Sequence, residues 1–387
     1  MTRVWRLGHN ARVGTLRVEQ VRARLAALAA AGLDVSQYLS SAIPLIGAAI
    51  PFDGACFGTA DPDTELLTGH HKVGLPGDRD FEFVRYEYET DDVNKFADLA
   101  RREVPVGLLR HDTCGDPLRS KRYRELIGPH YDFGHELRTV CRYDNATWGV
   151  GSLYRAPESP GFSMAETDVL GRLAPLIALG LRSSLVATAV DAIGTANGPA
   201  VFVVDSDNQV SQASLVAAQR VAELGGDLWG ELPTAVSAVV SAARSYAAGR
   251  SFVLPRTRQR TPSGRWFVVH ASPLAARGGG GEQVVVTIEE AGPPDVIPLV
   301  IAAFGLTGRE RDVVGHVLQG TGTAEIAQSL HLSPHTVQDH LKVIFDKAGV
   351  RSRRALIARV FFDHYQPRSN GAGVTLTPTG RLCAATG

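Results

Sequence analysis

The sequence is poor in several features that direct a chain to particular protein classes. Its 387 residues include four cysteines with no close pair, so we expect neither a disulfide framework nor a cysteine-rich zinc site. No apolar run approaches the ~18 residues of a membrane span, and the N-terminus lacks the apolar core of a signal peptide. These absences predict a folded cytoplasmic protein with no membrane partner.

The chain also has no net charge, because its 40 basic and 40 acidic residues cancel. No global field attracts the chain to nucleic acid, so any such binding must be local. Lysine is scarce, and none lies between Lys121 and Lys342. Asp205 follows an apolar run that is predicted to be a strand, as the phosphorylated aspartate of a phospho-acceptor domain does. Those domains resemble one another in a lysine that stabilises the phosphoryl group, and this region has no lysine. We interpret Asp205 as a turn residue.

Catalytic motifs are absent as well. Gly320-Thr321-Gly322 follows a predicted helix rather than a strand, and no Gly-Lys-Ser/Thr phosphate loop occurs. The chain has no Gly-x-Ser-x-Gly elbow, and His135-Glu136 is not completed to the His-Glu-x-x-His pattern of zinc enzymes. We therefore predict a protein that is not an enzyme and that has no cofactor.

Some histidines and cysteines in the N-terminal half could form a haem, metal or redox site. Lone residues of these types are more often packed or exposed without a ligand, so the structural interpretation is favoured and the ligand role is kept as the alternative. These residues are His70, His71, His111, Cys56, Cys114 and Cys141.

The length fits two or three domains, and the first element is a helix. Within residues 15–33, Val18, Val21, Leu25 and Leu28 recur at helical spacing, which predicts an amphipathic helix. We assign residues 1–39 to an N-terminal helix that leads into the first domain. Core packing is favoured over a dimer interface, since an apolar stripe alone does not name its partner.

Residues 40–190 combine short apolar runs and turn residues with a long helical pattern over 162–186. Paired runs of this kind predict an antiparallel sheet, and sheet plus helices predict an α+β domain. Residues 136–182 resemble the closing half of a GAF domain, and residues 53–70 are similar to its opening sheet. The resemblance implies a GAF-like sensory domain whose ligand is unknown.

Residues 196–292 form a second, smaller α+β pattern. A strand at 200–204, a turn, a helical run and a later strand pair resemble a PAS-like sensory domain, in which Gly278 to Gly281 are a hairpin loop. Pro293-Pro294 are interpreted as a linker or domain edge. Residues 366–387 are rich in Gly, Pro, Ser and Thr, so we expect a disordered tail.

Residues 300–365 predict an all-α domain of four helices. Thr307 and Glu310 have the spacing of a capping box, and Gly320 is placed to end the first helix. Thr323 is expected to cap the second helix. Ser333-Pro334 starts the third, with serine as N-cap and proline in the first turn. Two helices joined by a tight turn predict a helix-turn-helix that presents its second helix to the DNA major groove.

The third helix has one apolar and two polar arcs. At 100° per residue, Val337, Leu341, Ile344, Phe345 and Ala348 form the packing arc. The base-reading positions are expected at Gln338 for adenine, Lys342 for guanine and Asp339 for a base amino group. The DNA backbone is expected to meet a further set of residues, which set register rather than specificity. They are Thr323, His335, Thr336 and Lys347.

The segment from 306 to 356 resembles the LuxR/FixJ-type helix-turn-helix. The matching motifs are Leu-Thr-x-Arg-Glu, Glu-Ile-Ala, Ser-Pro-x-Thr-Val, His-Leu, Lys-x-Gly-Val and Ser-Arg, in order. The resemblance implies a dimer contact on the helix from Ser352 to about Phe362 and base reading by the three residues named above. Asp339 departs from the neutral or basic residue usual for the family at that position.

These observations predict a multi-domain, homodimeric transcription regulator that binds double-stranded DNA and responds to a small-molecule or other signal. RNA polymerase is a further possible partner. Residues 304–364 hold eight basic and six acidic residues, and so small a surplus implies that tight binding requires the dimer. The alternative is a scaffold or anti-activator that uses the helical domain to bind protein.

Overall fold

The computed structural model describes residues 4–75, 79–186, 198–275, 282–365, 374–376 and 382–384, with side chains described from 17 to 361. The chain divides into two compact units. The first comprises Met1–Ala187, Gly198–Gln259 and Val268–Glu289, and the second comprises Thr188–Asn197, Arg260–Phe267 and Glu290–Gly387. None of the described helices is long and apolar enough to cross a membrane.

Two helices open the first unit: α1 (Val4–Ala29) and α2 (Val35–Ala49). Helix α1 begins earlier than the pattern over 15–33 predicts. Of the predicted apolar stripe, Val18, Val21 and Leu25 are buried and Leu28 is half-buried, because α1 packs on α2 and on the long helix that closes this region. The Asp34 side chain accepts a hydrogen bond from the Gln37 backbone at 2.9 Å and caps α2.

An antiparallel sheet of five strands follows in the order β2-β1-β5-β4-β3. The strands are β1 (Gly54–Ala60), β2 (Leu67–Val73), β3 (Val106–Leu108), β4 (His135–Tyr143) and β5 (Ala146–Arg155). Asp144 and Asn145 turn the β4–β5 hairpin with φ of 56° and 61°, the left-handed region that Asp and Asn tolerate. This arrangement confirms the predicted α+β region.

Helices cover the sheet. They are α3 (Asp80–Tyr88), α4 (Phe96–Leu99), α5 (Leu109–Asp112), α6 (Gly128–Tyr131) and α7 (Met164–Leu185), with a 3-10 turn at Pro117–Arg119 and a π-helical turn at Tyr123–Ile127. Helix α7 begins at a capping box, in which Ser163 and Glu166 satisfy each other's backbone N–H groups.

A second sheet of five strands has the order β7-β6-β10-β9-β8. Its elements are β6 (Ala200–Val204), β7 (Val210–Ala213), α8 (Ala217–Glu223), α9 (Thr234–Ala247), β8 (Arg256–Arg260), β9 (Trp266–Pro273) and β10 (Val284–Glu290). The Asp205 carboxylate accepts from the backbones of Asp207 and Gln209 at 2.9 Å each, which is the predicted turn role. The expected glycine loop at 278–281 lies outside the described residues.

The described part of the second unit contains five helices: α10 (Pro293–Ala303), α11 (Gly308–Leu318), α12 (Thr323–Ser329), α13 (Pro334–Ala348) and α14 (Arg353–Tyr365). Pro293-Pro294 were interpreted as a linker or domain edge. They are not an irregular linker, because both lie in the first turn of α10, where a missing N–H costs nothing. They do lie at a domain edge, since the last stretch of the second unit begins at Glu290. The Asp295 carboxylate accepts from the Gly292 backbone at 3.0 Å. Helix α10 packs on α14.

Two short strands, β11 (Val374–Leu376) and β12 (Leu382–Ala384), pair antiparallel. They belong to the segment 366–387, for which the composition predicts disorder. The rest of that segment lies outside the described residues.

Candidate nucleic-acid interface

Helix α11 begins and ends as its residues predict. The Thr307 backbone N–H donates to the Glu310 carboxylate at 2.7 Å, and the Glu310 backbone N–H donates to the Thr307 hydroxyl at 3.4 Å. Gly320 follows the helix with a φ of +80°, a conformation that glycine adopts without strain. The capping box therefore fixes the position of α11 along the chain.

Helix α12 begins one residue earlier than expected. Gly322 is its N-cap residue, and the Glu325 carboxylate accepts from the Gly322 backbone at 2.9 Å, so the prediction that Thr323 caps this helix is wrong. The Thr323 hydroxyl instead accepts from the Arg353 guanidinium at 2.8 Å. A second Arg353 nitrogen donates to the Thr321 carbonyl at 2.9 Å. Arg353 thus holds the start of α12 against the start of α14.

A tight turn joins α12 to α13. His331 has a left-handed φ of 53°, and the Leu332 backbone donates to the Ala327 carbonyl at 2.8 Å. The Ser333 hydroxyl lies 3.0 Å from the Thr336 backbone nitrogen and 2.9 Å from the Thr336 hydroxyl. Serine caps α13 as predicted, and the Thr336 hydroxyl is engaged in the same cap.

Helix α13 divides into a buried and an exposed face. Val337 and Ile344 are fully buried, and Leu341 and Ala348 are nearly so, whereas Phe345 is half-buried. The exposed residues of α13 are Pro334, His335, Gln338, Asp339, Lys342, Val343, Asp346 and Lys347, of which Val343 is the one large apolar side chain. The structure thus places the three predicted base-reading residues together on the solvent side of the second helix of the motif.

The exposed face carries a small ionic cluster centred on Asp339. Its carboxylate lies 3.1 Å from the Lys342 ammonium and 3.1 Å from the His335 ring. The hydrogen bond from Lys342 is the main reason that the pKa of Asp339 is lowered. The Gln338 amide has no hydrogen-bond partner among the described residues. Gln338 is therefore the predicted reading residue whose hydrogen-bonding groups are available without breaking an internal contact.

Lys347, which is predicted to contact the DNA backbone, has an internal partner. Its ammonium lies 2.7 Å from the carboxylate of Glu310, which is only 5% exposed. Burial disfavours the charged carboxylate, yet the hydrogen bonds from Lys347 and from the Thr307 backbone outweigh it and lower the pKa of Glu310. Sequence reasoning assigned Lys347 to a phosphate and missed this pair, although the capping box already places Glu310 at the start of α11.

Helix α14 is the expected dimer helix. Leu356 and Val360 are fully buried within the unit, where α14 packs on α10, α11 and α13. The contact with α10 was not predicted, because the Pro-Pro pair was interpreted as a linker or domain edge and no helix was expected there.

The geometry of α11 to α14 agrees with a family match. Residues 305–360 match the model described as "Bacterial regulatory proteins, luxR family". This segment is a LuxR-type helix-turn-helix domain.

Curated relatives match over the LuxR-type domain. The monoamine regulon transcriptional regulator of Klebsiella aerogenes is 41% identical over 56 residues, 14% of this chain and 25% of that protein. An HTH-type transcriptional regulator of Mycobacterium tuberculosis is 46% identical over 52 residues, 13% of this chain and 6% of that protein. The matched segment thus spans a quarter or less of either relative.

Solved structures include weak neighbours. A Vibrio cholerae VqmA dimer, described as a LuxR-type receptor, is 18% identical and covers 43% of this chain and 82% of its own, with a TM-score of 0.21. A VqmA–ligand–DNA complex is 17% identical and covers 45% of this chain and 87% of its own, with a TM-score of 0.22.

Proposed function

We propose that this chain is a dimeric transcription regulator that binds specific double-stranded DNA in the cytoplasm through α13. The observation that supports this proposal most directly is the polar, solvent-exposed face of α13, with Gln338 unpaired inside a LuxR-type domain. A helix of this kind fits the major groove, where each base pair presents a distinct set of donors and acceptors.

The residues of this face have separate roles in the proposal. Gln338 pairs with adenine through two hydrogen bonds, and Lys342 donates to guanine. Asp339 accepts from a base amino group and also holds Lys342 and His335. His335 and Thr336 lie at the N-terminus of α13, which favours contact with phosphate. Thr323 and Lys347 reach phosphate only by exchanging their internal partners, Arg353 and Glu310.

The two α+β regions are proposed as GAF-like and PAS-like sensory domains. If these domains have two conformational states, a small-molecule signal that binds one state more tightly than the other would shift the DNA affinity of the dimer. Contact with RNA polymerase would follow DNA binding. The proposal places signal reception in the sheets and output in α11 to α14.

The test is selection of genomic DNA fragments by the purified full-length chain. We expect recovery of a shared sequence with two-fold symmetry, and we expect Gln338→Ala to lose preference at one position in each half-site. The matched control is Gln319→Ala, an exposed glutamine at the end of α11 that should leave the selected sequence unchanged. Random recovery by the wild-type chain would refute the proposal and favour the scaffold alternative.

A further inference from the structure

A cavity of about 280 Å³ lies between the first sheet and helix α9. Strands β2, β4 and β5 line it through Leu67, Val140 and Val150, and the end of α3 and helix α4 line it from another side. Ala242 and Ser245 of α9 and the loop that follows α9 complete the lining. All of these residues belong to the first unit, so the cavity is shared by the two α+β regions within that unit.

The cavity is large enough for a small organic molecule. A cavity of ~150 Å³ holds benzene, and one water molecule takes up ~30 Å³ of liquid. The space of about 280 Å³ therefore admits a six-membered ring with its substituents and leaves room for a few waters. Typical sites for drug-sized ligands measure ~300–1,000 Å³, so a ligand with one ring fits better than a larger one.

Three polar groups of the lining have no hydrogen-bond partner among the described residues. Oγ1 of Thr64 and Oε1 of Glu89 are buried and unsatisfied. Ser245 is 2% exposed, and its hydroxyl makes no hydrogen bond either. Burying such groups without partners is unfavourable, and native structures keep few of them. An occupant with several donors and acceptors would satisfy all three.

Glu89 has a counter-charge but lacks a hydrogen bond. Its Oε1 lies 3.8 Å from a terminal nitrogen of Arg244, which is beyond hydrogen-bond distance. The two terminal nitrogens of Arg244 donate instead to the Asn208 side chain at 2.5 Å and to the Asp205 carbonyl at 2.6 Å. Arg244 would repel a ligand cation at this point, and Glu89 would repel an anion. An uncharged O–H donor supplies the missing hydrogen bond without adding a charge.

The other charges of the lining are also balanced. The lining carboxylates are Glu65, Glu87, Glu89, Asp91 and Asp98. The lining cations are Lys95, Arg101 and Arg250. Arg138 pairs with Glu87 at 2.8 Å, and together with Arg244 it makes the number of cations equal to the number of carboxylates. Since burying an uncompensated charge is costly, this balance favours an uncharged ligand.

We propose that this cavity binds an uncharged, hydroxyl-rich molecule of the size of a single hexose ring, whose hydroxyl groups hydrogen-bond to Glu89, Ser245 and Thr64. The C–H groups of the ring pack on the apolar part of the lining, which includes Phe96 and Val150. The proposal names the chemical class of the signal and rests on the proposed sensory function. Glu89 ends α3 and Ser245 lies in the last turn of α9, so the bound ring connects the two α+β regions.

The test measures dissociation constants of glucose, galactose and mannose on the full-length chain by isothermal titration calorimetry. We expect at least one of these hexoses to bind with a dissociation constant below about 1 mM. Cyclohexanol keeps the ring and one hydroxyl, and it should bind at least about tenfold more weakly because further hydrogen bonds are lost. The amino sugar and the uronic acid of the same configuration carry a positive and a negative charge. Each should also bind at least about tenfold more weakly than the parent hexose.

Two conservative substitutions locate the site. Ser245→Ala and Thr64→Val each remove one hydroxyl and leave the charges in place, and each should weaken hexose binding by about fivefold, the effect of one net hydrogen bond. The matched control is Ser241→Ala, one turn earlier on α9, because Ser241 is buried, has an unpaired hydroxyl and does not line the cavity. It should leave the hexose affinity unchanged. Thermal unfolding midpoints show that all three variants are folded.

Absence of binding by all three hexoses would overturn this inference. Wild-type hexose affinity in both Ser245→Ala and Thr64→Val would also overturn it, as would tighter binding of a charged analogue than of its parent hexose. DNA selection is measured separately. A chain that selects DNA and ignores the hexoses contradicts only the cavity proposal, and a chain that binds a hexose and recovers random DNA contradicts only the proposed function.

Discussion

The ammonium of Lys347, in the last turn of α13, lies 2.7 Å from the carboxylate of Glu310, in the first turn of α11. Glu310 also accepts from the Thr307 backbone, so one buried carboxylate caps a helix and binds the end of the proposed recognition helix. The pair fixes the direction of α13 relative to α11. A lysine that would otherwise be free for phosphate therefore has a structural role.

Removing Lys347 should destabilise the helical unit. Lys347→Met leaves the buried Glu310 carboxylate without its cation, and we expect the free energy of unfolding to fall by about 1–3 kcal/mol. Urea denaturation followed by circular dichroism measures the change. The control is Arg309→Met, whose exposed pair with Asp312 spans 3.7 Å and should contribute less than about 0.5 kcal/mol. Equal losses in the two variants would show that the Lys347 pair is no stronger than a surface pair.

The same pair should make stability depend on acidity. The folded chain holds the pKa of Glu310 below its usual value, so the stabilisation is present above about pH 4.3, the unfolded value, and is lost as pH falls through the lower folded pKa. The difference in the free energy of unfolding between the wild type and Lys347→Met should therefore shrink in the acid range. Urea midpoints measured from pH 7 to 3 test this, and a constant difference between the two proteins would contradict it.

The charge of Asp339 should weaken DNA binding by holding Lys342 and by repelling phosphate, whereas its role as an acceptor for a base amino group survives in asparagine, which keeps one side-chain oxygen. We expect Asp339→Asn to bind DNA about three- to tenfold more tightly at low salt and to depend more steeply on salt, because more counterions are displaced. Fluorescence anisotropy across a salt series provides the measurement. Asp312→Asn on α11 makes the same change of charge away from the reading face. Should it tighten binding equally, net charge rather than the Asp339–Lys342 contact would be responsible.

A buried ion pair between Asp61 and Arg258 joins the two α+β regions. The Asp61 carboxylate accepts from the Arg258 backbone at 2.8 Å and from its Nε at 2.9 Å, and both residues are buried. Arg258→Met leaves the buried Asp61 carboxylate without its cation, so we expect the free energy of unfolding to fall by about 3–5 kcal/mol. Thermal or urea denaturation measures the change. The double variant Asp61→Leu/Arg258→Met should recover much of that loss. Arg101→Met, in an exposed pair with Asp98, is the control, and no recovery in the double variant would count against a charge-burial cause.

Much of the helical domain could be predicted because its signals are local. A capping box needs residues three apart, and the faces of α13 follow from 100° per residue, so Thr307, Ser333 and the Val337–Leu341 stripe were assigned correctly. Thr323 was misplaced by one position, since Gly322 is an acceptable N-cap when a glutamate three residues on receives its N–H. Strand β8 was missed because its Arg-Thr-Arg-Gln-Arg run has no apolar alternation.

The sequence by itself determined where the α13 helix starts, which of its faces packs and which meets solvent, because those properties depend on neighbours within four residues along the chain. The tertiary structure alone decided the partners of Lys347, Arg353 and Asp61. These features join residues between 30 and 197 positions apart. Their pairing depends on strand register and helix packing, which bring together charges and hydroxyls that no local pattern connects.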